Sequence, residues 1–254
     1  MDPLQAIILA VVQGLTEWLP ISSSGHLVVA QKLMGLTLPV AFDVFLHLGT
    51  LVAVVAFFWR DIVRILKAFF TFDRASPDFK MAVYIIIGTI PTAIIGLAFE
   101  DFFESLFSSA RDVGFAFIIT GILLLATKFR GGTKKLSWLT SFVMGVVQGI
   151  AIAPGISRSG STIAIGLLSG VDKEQVFRYS FLLSIPAILG ASLLKYNEIA
   201  VSDLGLLTII AAAIAAVIGY VAIVLVRRVL LSKKFYLFAI YCFLAGVLVL
   251  LFLS

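Results

Sequence analysis

Apolar residues form long, almost uninterrupted runs along this chain, and short polar stretches separate them. Six runs of about 15–23 residues lie near positions 44–59, 81–99, 113–127, 176–194, 204–226 and 235–253. A helix needs roughly 20 apolar residues to cross the hydrocarbon core of a bilayer. The pattern therefore predicts six transmembrane helices. Pro91 and Pro186 fall inside two of them, which membrane helices tolerate.

Four shorter apolar segments do not reach this length. They lie near 3–19, 26–39, 137–153 and 161–171. They form two pairs, and each pair flanks a turn rich in Ser, Gly and Pro, at 20–25 and at 154–160. Short segments joined in this way are typical of re-entrant hairpins, which enter and leave the membrane on the same side.

The two hairpin segments resemble each other in sequence. Residues 11–25 read VVQGLTEWLPISSSG and residues 146–160 read VVQGIAIAPGISRSG, with eight of fifteen positions identical at an offset of 135. Shared membrane composition could match Val and Ile, but not Gln13 with Gln148. We therefore predict one membrane domain, 1–254, made of two repeats at about 1–130 and 136–254. Three spans follow each hairpin, so the repeats must have inverted topology.

Composition agrees with a membrane protein and excludes a soluble one. Hydrophobic residues make up 61% of the 254 residues, charged residues only 13%, and the mean hydropathy is +1.14. A soluble domain would carry about 25% charged residues. The net charge of +5 lies in loops and does not indicate nucleic-acid binding. The only cysteine, Cys242, excludes an internal disulfide, and we expect it to pack in a helix.

The distribution of basic residues predicts the orientation in the plasma membrane. If the N-terminus lies outside, fifteen of the nineteen Lys and Arg residues fall in the inside segments 60–80, 128–136, 172–178 and 227–234. This agrees with the positive-inside rule. Both termini and the acidic loop 100–112 are then outside. The first hairpin enters from outside and the second from inside, so their polar turns can meet near the midplane.

The first hairpin contains the first group of candidate functional residues. Gln13 and Glu17 share one face of a helix, and a carboxylate inside a membrane indicates function or a buried ionic partner. Hydroxyls and an imidazole follow at Ser22, Ser23, Ser24, Gly25 and His26. Such groups suit phosphate contact and proton transfer, although a serine turn also commonly caps a helix.

The second hairpin adds a cation to these groups. Arg158 needs an anion in this setting, which could be a phosphate or Glu17. Its neighbours bring hydroxyls and close backbone approach, at Ser157, Ser159, Gly160 and Thr162. An anion site embedded in lipid favours a lipid diphosphate over a soluble sugar phosphate. Elsewhere, Asp43 and His47 share a helical face and could bind or relay protons, but we expect them to cap and pack a helix. We expect Arg178 to anchor a span at the interface.

These motifs resemble a known family over essentially the whole chain. The segments VVQGLTEWLPISSSGHL and PGISRSGST, with FDVFLHLGTLVAVV at 42–55 and RYSFLLSIPAILGA at 178–191, are similar to the undecaprenyl-diphosphatase family of membrane enzymes linked to bacitracin resistance. The resemblance implies hydrolysis of a polyprenyl diphosphate to the monophosphate and inorganic phosphate, which recycles a glycan carrier lipid. It also implies an active site that opens outside.

The family pattern implies roles for individual residues. Its (Glu/Gln)-x-x-x-Glu motif corresponds to Gln13 and Glu17, which leaves one carboxylate to bind the expected Mg²⁺ or Ca²⁺. We expect the catalytic residues to be Glu17, Ser23, His26 and Arg158. Substrate-binding residues are then Gln13, Ser22, Ser24, Gly25, Ser157, Ser159, Gly160 and Thr162. Ser23 is either the nucleophile or the group that positions a water, and His26 is the acid/base.

A second function remains open from the sequence. Inverted repeats with re-entrant hairpins are also a transporter architecture, so a polyprenyl phosphate flippase or an ion-coupled transporter is the alternative. A purely structural membrane protein would leave the embedded charges unexplained. The expected partners are a polyprenyl diphosphate lipid and the membrane, with no nucleic acid, and a homodimer is one option for assembly.

Overall fold

The chain folds into helices joined by short connections. A computed structural model describes residues 2–38, 40–129, 132–195 and 205–253. Within these ranges, regular structure is helical apart from one isolated bridge between Lys134 and Val171. The α-helices of the described residues are α1 Pro3–Trp18, α2 Ser23–Leu33, α3 Val40–Phe57, α4 Trp59–Phe70, α5 Pro77–Ala98, α6 Glu100–Phe107, α7 Ala110–Ala126, α8 Trp138–Ile150, α9 Arg158–Leu168, α10 Lys173–Leu194, α11 Leu206–Leu231 and α12 Phe238–Phe252.

Four parts of the described chain have the length and composition of membrane spans. Helices α5, α10 and α11 are each long and apolar enough alone, and so is the segment Phe235–Phe252 around α12. Two bent pairs of helices have such a composition only when taken together, α3 with α4 at 77° and α6 with α7 at 104°. The protein is therefore an all-α, multi-pass membrane protein with four spans in its described residues, or the predicted six if each bent pair is one span.

Helices α4 and α6 lie where the sequence analysis predicts only loops. Along α4, the apolar side chains Trp59, Val63, Leu66 and Phe70 are exposed, and Ile65 is buried. Basic residues lie between these apolar residues in the sequence. The sequence pattern therefore predicts a charged loop, although the apolar residues of the segment have helical spacing. A short helix with these two faces, set at a steep angle to its span, is typical of the membrane interface.

The two predicted hairpins are present as the pairs α1–α2 and α8–α9. At 1.5 Å per residue, the 16 residues of α1 extend about 24 Å, less than the roughly 30 Å hydrocarbon core. The predicted turns are shorter than expected, because Ser23 and Arg158 already begin α2 and α9. Ser22 and Ser157 are the N-caps, and each side chain accepts a hydrogen bond from the backbone N–H three residues later.

Each hairpin packs against a span from the other half of the chain. Helix α1 lies along α11, and α8 lies along α5. Glycines permit this approach: a Cβ on Gly14 would lie 2.8 Å from the Ile218 side chain, and one on Gly149 would lie 2.8 Å from Ile95. Gly14 and Gly149 are 135 positions apart, the offset of the sequence repeat. The two halves therefore interlock rather than fold as separate units.

A network of ion pairs ties α4 to the starts of α5 and α10. Arg178 contacts Asp78 at 2.7 Å and Asp61 at 2.8 Å. Arg64 also contacts Asp61, at 2.7 Å. The predicted anchor residue Arg178 therefore joins three helices at one end of the bundle.

The α5–α8 contact gives a stability prediction. A Cβ on Gly145 would overlap the backbone of Gly88, so Gly145→Val should lower the free energy of unfolding by about 1–3 kcal/mol or more. The measurement is the melting temperature in detergent, read by size-exclusion chromatography after heating. Gly190→Ala is the control, because a Cβ there meets no described atom within 4 Å. Equal melting temperatures for Gly145→Val and the unchanged protein would contradict this packing.

Candidate active site

The two hairpin turns touch each other inside the protein. The Ser22 hydroxyl accepts a hydrogen bond from the Gly155 N–H at 3.1 Å. Ser22 has φ of 67° and Gly155 has φ of 92°, so both backbones are in the left-handed region, which is unusual for serine. A Cβ on Gly25 would lie 2.9 Å from the Gly155 Cα. Glycine at position 25 thus allows the turns to cross.

Glu17 joins the two hairpins through its carboxylate. One oxygen, Oε1, accepts from Arg158 Nη2 at 2.5 Å. The other, Oε2, accepts from Ser23 Oγ at 2.5 Å and from Gln13 Nε2 at 3.2 Å. The exposed fraction of the side chain is 6% for Glu17 and 15% for Arg158. The sequence left open whether Arg158 meets Glu17 or a phosphate, and here it meets Glu17.

Arg158 retains capacity for a second anion. Its Nη1 atom is buried and has no hydrogen-bond partner within the described part of the chain. The guanidinium carbon lies 4.9 Å from the centre of the Trp18 ring, and Trp18 stacks on Phe181 at 5.0 Å. The aromatic face and Glu17 therefore hold the guanidinium in place while one of its nitrogens is available to bind a phosphate oxygen.

Most other predicted contact residues have structural hydrogen bonds. Ser159 Oγ donates to the Leu19 carbonyl at 3.1 Å, which is a further link between the turns. The buried Thr162 hydroxyl lies 2.8 Å from the Arg158 carbonyl and 2.6 Å from Ser180 Oγ. Ser24 lies 3.3 Å from Ser22 through their hydroxyls. These side chains fix the shape of the two turns around Glu17 and Arg158.

His26 lies beside this cluster with both ring nitrogens engaged. Its Nδ1 is 2.6 Å from the Ser22 carbonyl, and its Nε2 is 2.7 Å from the Tyr241 hydroxyl. The ring packs between Phe117 and Tyr241, at centroid distances of 5.0 and 5.6 Å. The imidazole is therefore held by groups from three different helices or turns.

His47 is a site residue that the sequence analysis underestimated. Its Nε2 lies 3.6 Å from Glu17 Oε2, and its Nδ1 is 2.8 Å from the Asp43 carbonyl. The Asp43 carboxylate accepts from Gln31 Nε2 at 3.0 Å, which links α3 to α2. The available signal was the spacing of four between two polar residues in an apolar span, which Gln13 and Glu17 also show.

Thr120 is a second residue that the sequence did not single out. This buried side chain on α7 donates to the Gly155 carbonyl at 3.0 Å and accepts from the Ser157 N–H at 3.1 Å. It therefore holds the second turn immediately before Arg158. No local pattern distinguishes Thr120 from other threonines in apolar helices, because its role depends on contacts with residues more than 30 positions away.

The oxygen atoms at this site are suitable for a hard divalent cation that also binds phosphate. The described residues hold no group of three or more His, Cys, Asp or Glu side chains arranged for a metal ion. However, Gln13 Oε1 is buried without a hydrogen-bond partner in the described ranges, next to the Glu17 carboxylate. Magnesium is commonly held by one or two carboxylates together with substrate phosphates, so this set fits a cation that arrives with a diphosphate.

Comparison with known proteins identifies the family. A family model described as bacitracin resistance protein BacA matches residues 6–248, which include both hairpin turns. The chain belongs to this family. This confirms the resemblance seen in the sequence motifs.

Three relatives match this chain over nearly its whole length. It is 43% identical over 260 residues to the undecaprenyl-diphosphatase of Halothermothrix orenii, covering 99% of this chain and 98% of that protein. It is 44% identical over 268 residues to the undecaprenyl-diphosphatase of Methanobrevibacter smithii, covering 98% and 97%. The corresponding protein of Methanosphaera stadtmanae is 41% identical over 267 residues.

The buried ion pair gives a second stability prediction. Glu17→Gln leaves the Arg158 charge buried without its counterion, which should lower the free energy of unfolding by roughly 3–5 kcal/mol. The double variant Glu17→Gln/Arg158→Gln should recover part of this loss, because it buries no charge. Melting temperatures in detergent measure both effects.

A matched control for this experiment is the exposed pair of Glu174 and Arg227, whose side chains are 48% and 44% exposed. Glu174→Gln should change stability by no more than about 1 kcal/mol. If Glu17→Gln and Glu174→Gln melted at the same temperature, the Glu17–Arg158 pair would not be buried as described.

Proposed function

We propose that this chain hydrolyses undecaprenyl diphosphate to undecaprenyl phosphate and inorganic phosphate, at the cluster formed by Glu17, Ser23 and Arg158. Relatives that match it over nearly their whole length are named undecaprenyl-diphosphatase. The observation that supports this site most directly is the unpartnered, buried Nη1 of Arg158 beside a serine bonded to a carboxylate. Such a cation in lipid suits a phosphate carried on an apolar chain.

In this proposal, Arg158 binds and stabilises the phosphoryl group. Phosphoryl transfer spreads negative charge over the oxygens of the transferred group, so catalysis depends mainly on positioning and on charge stabilisation. A guanidinium fixed by Trp18 and Glu17 does not need to reorganise during the reaction. The P–O bond to the bridging oxygen breaks, and undecaprenyl phosphate leaves with that oxygen.

Ser23 and Glu17 form the group that attacks or positions water. The Ser23 hydroxyl donates to Glu17 Oε2 at 2.5 Å, so the carboxylate orients the oxygen and can accept its proton. Two routes remain: attack by Ser23 Oγ on the terminal phosphorus, after which water hydrolyses the phosphoserine to release inorganic phosphate, or direct attack by a water that Ser23 holds. His26 is the proposed acid/base. His47, 3.6 Å from the same Glu17 oxygen, adds a second imidazole to the cluster.

We propose that the site takes a divalent cation, Mg²⁺ or Ca²⁺, together with the substrate. Glu17 and Gln13 Oε1 would hold it, along with oxygens of the diphosphate. A bound cation would neutralise charge on the phosphate oxygens. The remaining contact residues, Ser22, Ser24, Gly25, Ser157, Ser159, Gly160 and Thr162, would shape the cradle around the diphosphate.

We further propose that the two repeats have inverted topology and that the site faces outside. The equivalent contacts of Gly14 with α11 and Gly149 with α5 support a two-fold relation between the halves. The basic segments at one end of the bundle support placing both termini and the site outside. The apolar outer faces of α11 and α12 would contact lipid, or the partner subunit in a homodimer.

The enzymatic prediction is tested by phosphate release from undecaprenyl diphosphate with purified protein in detergent. The unchanged protein should release phosphate when Mg²⁺ or Ca²⁺ is present. Arg158→Ala should reduce kcat by about 10²–10³-fold, as removal of an electrostatic stabiliser does elsewhere, and Ser23→Ala should also impair it. The exposed variant Arg227→Ala is the control for general effects of losing an arginine.

Two results of this assay would contradict the proposal. No release by folded, unchanged protein with either cation would favour the flippase or the ion-coupled transporter, and a lipid-flip assay would follow. Release by Arg158→Ala at the unchanged rate would move the reaction away from this cluster.

Orientation is tested with single cysteines in a Cys242→Ser background. Ser108 and Ser232 are exposed serines that the proposed topology places on opposite sides of the membrane. A membrane-impermeant maleimide should label Ser108→Cys on intact cells, and it should label Ser232→Cys only after permeabilisation. The reverse pattern would overturn the proposed orientation.

A further inference from the structure

His26 is held in one defined tautomer by the hydrogen bond at Nδ1. The Ser22 carbonyl, 2.6 Å from Nδ1, can only accept, so Nδ1 carries a proton. In the neutral ring Nε2 is then an acceptor, and the Tyr241 hydroxyl at 2.7 Å is its donor. When the ring is protonated, Nε2 donates instead, and a hydroxyl can also accept. Tyr241 therefore satisfies Nε2 in both protonation states, which no apolar side chain could do.

The ring plane of His26 is fixed as well. Tyr241 stacks on it with an interplanar angle of 17°, and Phe117 meets it edge-on at 74°. Tyr241 lies on α12 and Phe117 on α7, and these two helices pack along each other. The orientation of the imidazole thus depends on a helix that begins more than 200 residues after it in the chain.

Helix α12 contacts the first hairpin at two further points. Cys242 Sγ lies 3.6 Å from the Pro20 carbonyl, and Lys32 Nζ donates to the Leu253 carbonyl at 2.5 Å. The close approach of Gly246 and Gly114 joins α12 to α7. These contacts fix the backbone around Tyr241 relative to the first hairpin. The Tyr241 hydroxyl is therefore held at a fixed distance from His26.

We propose that Tyr241 is a positioning residue for His26: its hydroxyl and ring hold the imidazole, whose tautomer the Ser22 carbonyl sets, in the orientation that hydrolysis requires. This inference rests on the proposed function, in which His26 is the acid/base and exchanges its proton at Nε2, the nitrogen that Tyr241 holds in the resting site. Positioned acid–base groups contribute typically 10²–10⁴-fold to rate. Loss of the hydroxyl alone, with the ring retained, should cost a smaller part of this.

The kinetic test compares Tyr241→Phe with the unchanged protein and with Tyr220→Phe. Tyr220 is an exposed tyrosine on α11 whose ring contacts Phe57, so its variant controls for losing a hydroxyl at the lipid surface. Tyr241→Phe should lower kcat about 10–100-fold with KM unchanged, because the ring still packs and the substrate site is intact. Tyr220→Phe should match the unchanged protein. An unchanged kcat for Tyr241→Phe would overturn the inference.

The kcat of a double variant distinguishes a positioning role of Tyr241 from a general loss of structure. His26→Ala removes the group that Tyr241 acts on, so adding Tyr241→Phe to it should lower kcat no further. Independent, multiplying losses in the double variant would mean that Tyr241 acts without His26, and would refute the proposal. Melting temperatures of the single variants show whether each remains folded.

One arm of the test uses NMR to detect the Tyr241–His26 contact and does not depend on activity. The chain has two histidines, so ¹⁵N-histidine NMR of the unchanged protein and of a His47→Gln variant assigns both rings. His26 should show a protonated Nδ1, and Tyr241→Phe should shift its Nε2 signal while leaving His47 unmoved. An unmoved His26 signal would contradict the inference. If the unchanged protein released no phosphate, the proposed function would fail, whereas this arm would still report on the Tyr241 contact.

Discussion

The ion pair between Glu17 and Arg158 is the interaction on which the site depends. The two residues are 141 positions apart, and each stands in a hairpin too short to cross the membrane. A carboxylate and a guanidinium are costly to bury separately in an apolar environment, so each hairpin depends on the other to bury its charge. The crossing of Gly25 and Gly155 and the interlocked packing of the hairpins with α5 and α11 bring these two charges together.

The same pair leaves the site electrically balanced. Glu17 occupies one nitrogen of Arg158, and the other has no partner among the described residues. In the proposed function, that second nitrogen binds the substrate phosphate. Glu17 also accepts from Ser23, so the proposal couples binding and attack through a single carboxylate. Chains with two carboxylates at the Gln13 and Glu17 positions would have a different charge balance from this one.

The sequence predicts the parts of this arrangement that depend on local pattern or on repetition. Apolar runs predict the spans, and the repeat at an offset of 135 predicts that Glu17 and Arg158 approach each other. It does not single out Thr120 or Tyr241, because their contacts are made across the bundle, and it ranks His47 below the hairpin residues although the spacing from Asp43 is visible. It also misses α4 and α6, since mixed charges at helical spacing in a short segment resemble a loop until the angle to the neighbouring span is known.

The most direct test of this account is an experimental structure of the protein in lipid or detergent with vanadate, which mimics a phosphoryl group in transfer. The account predicts vanadate bound to Nη1 of Arg158, with Ser23 Oγ within hydrogen-bonding or bonding distance and Glu17 retained on the other guanidinium nitrogen. Vanadate bound elsewhere in the bundle, with the Glu17–Arg158 cluster unchanged, would contradict it.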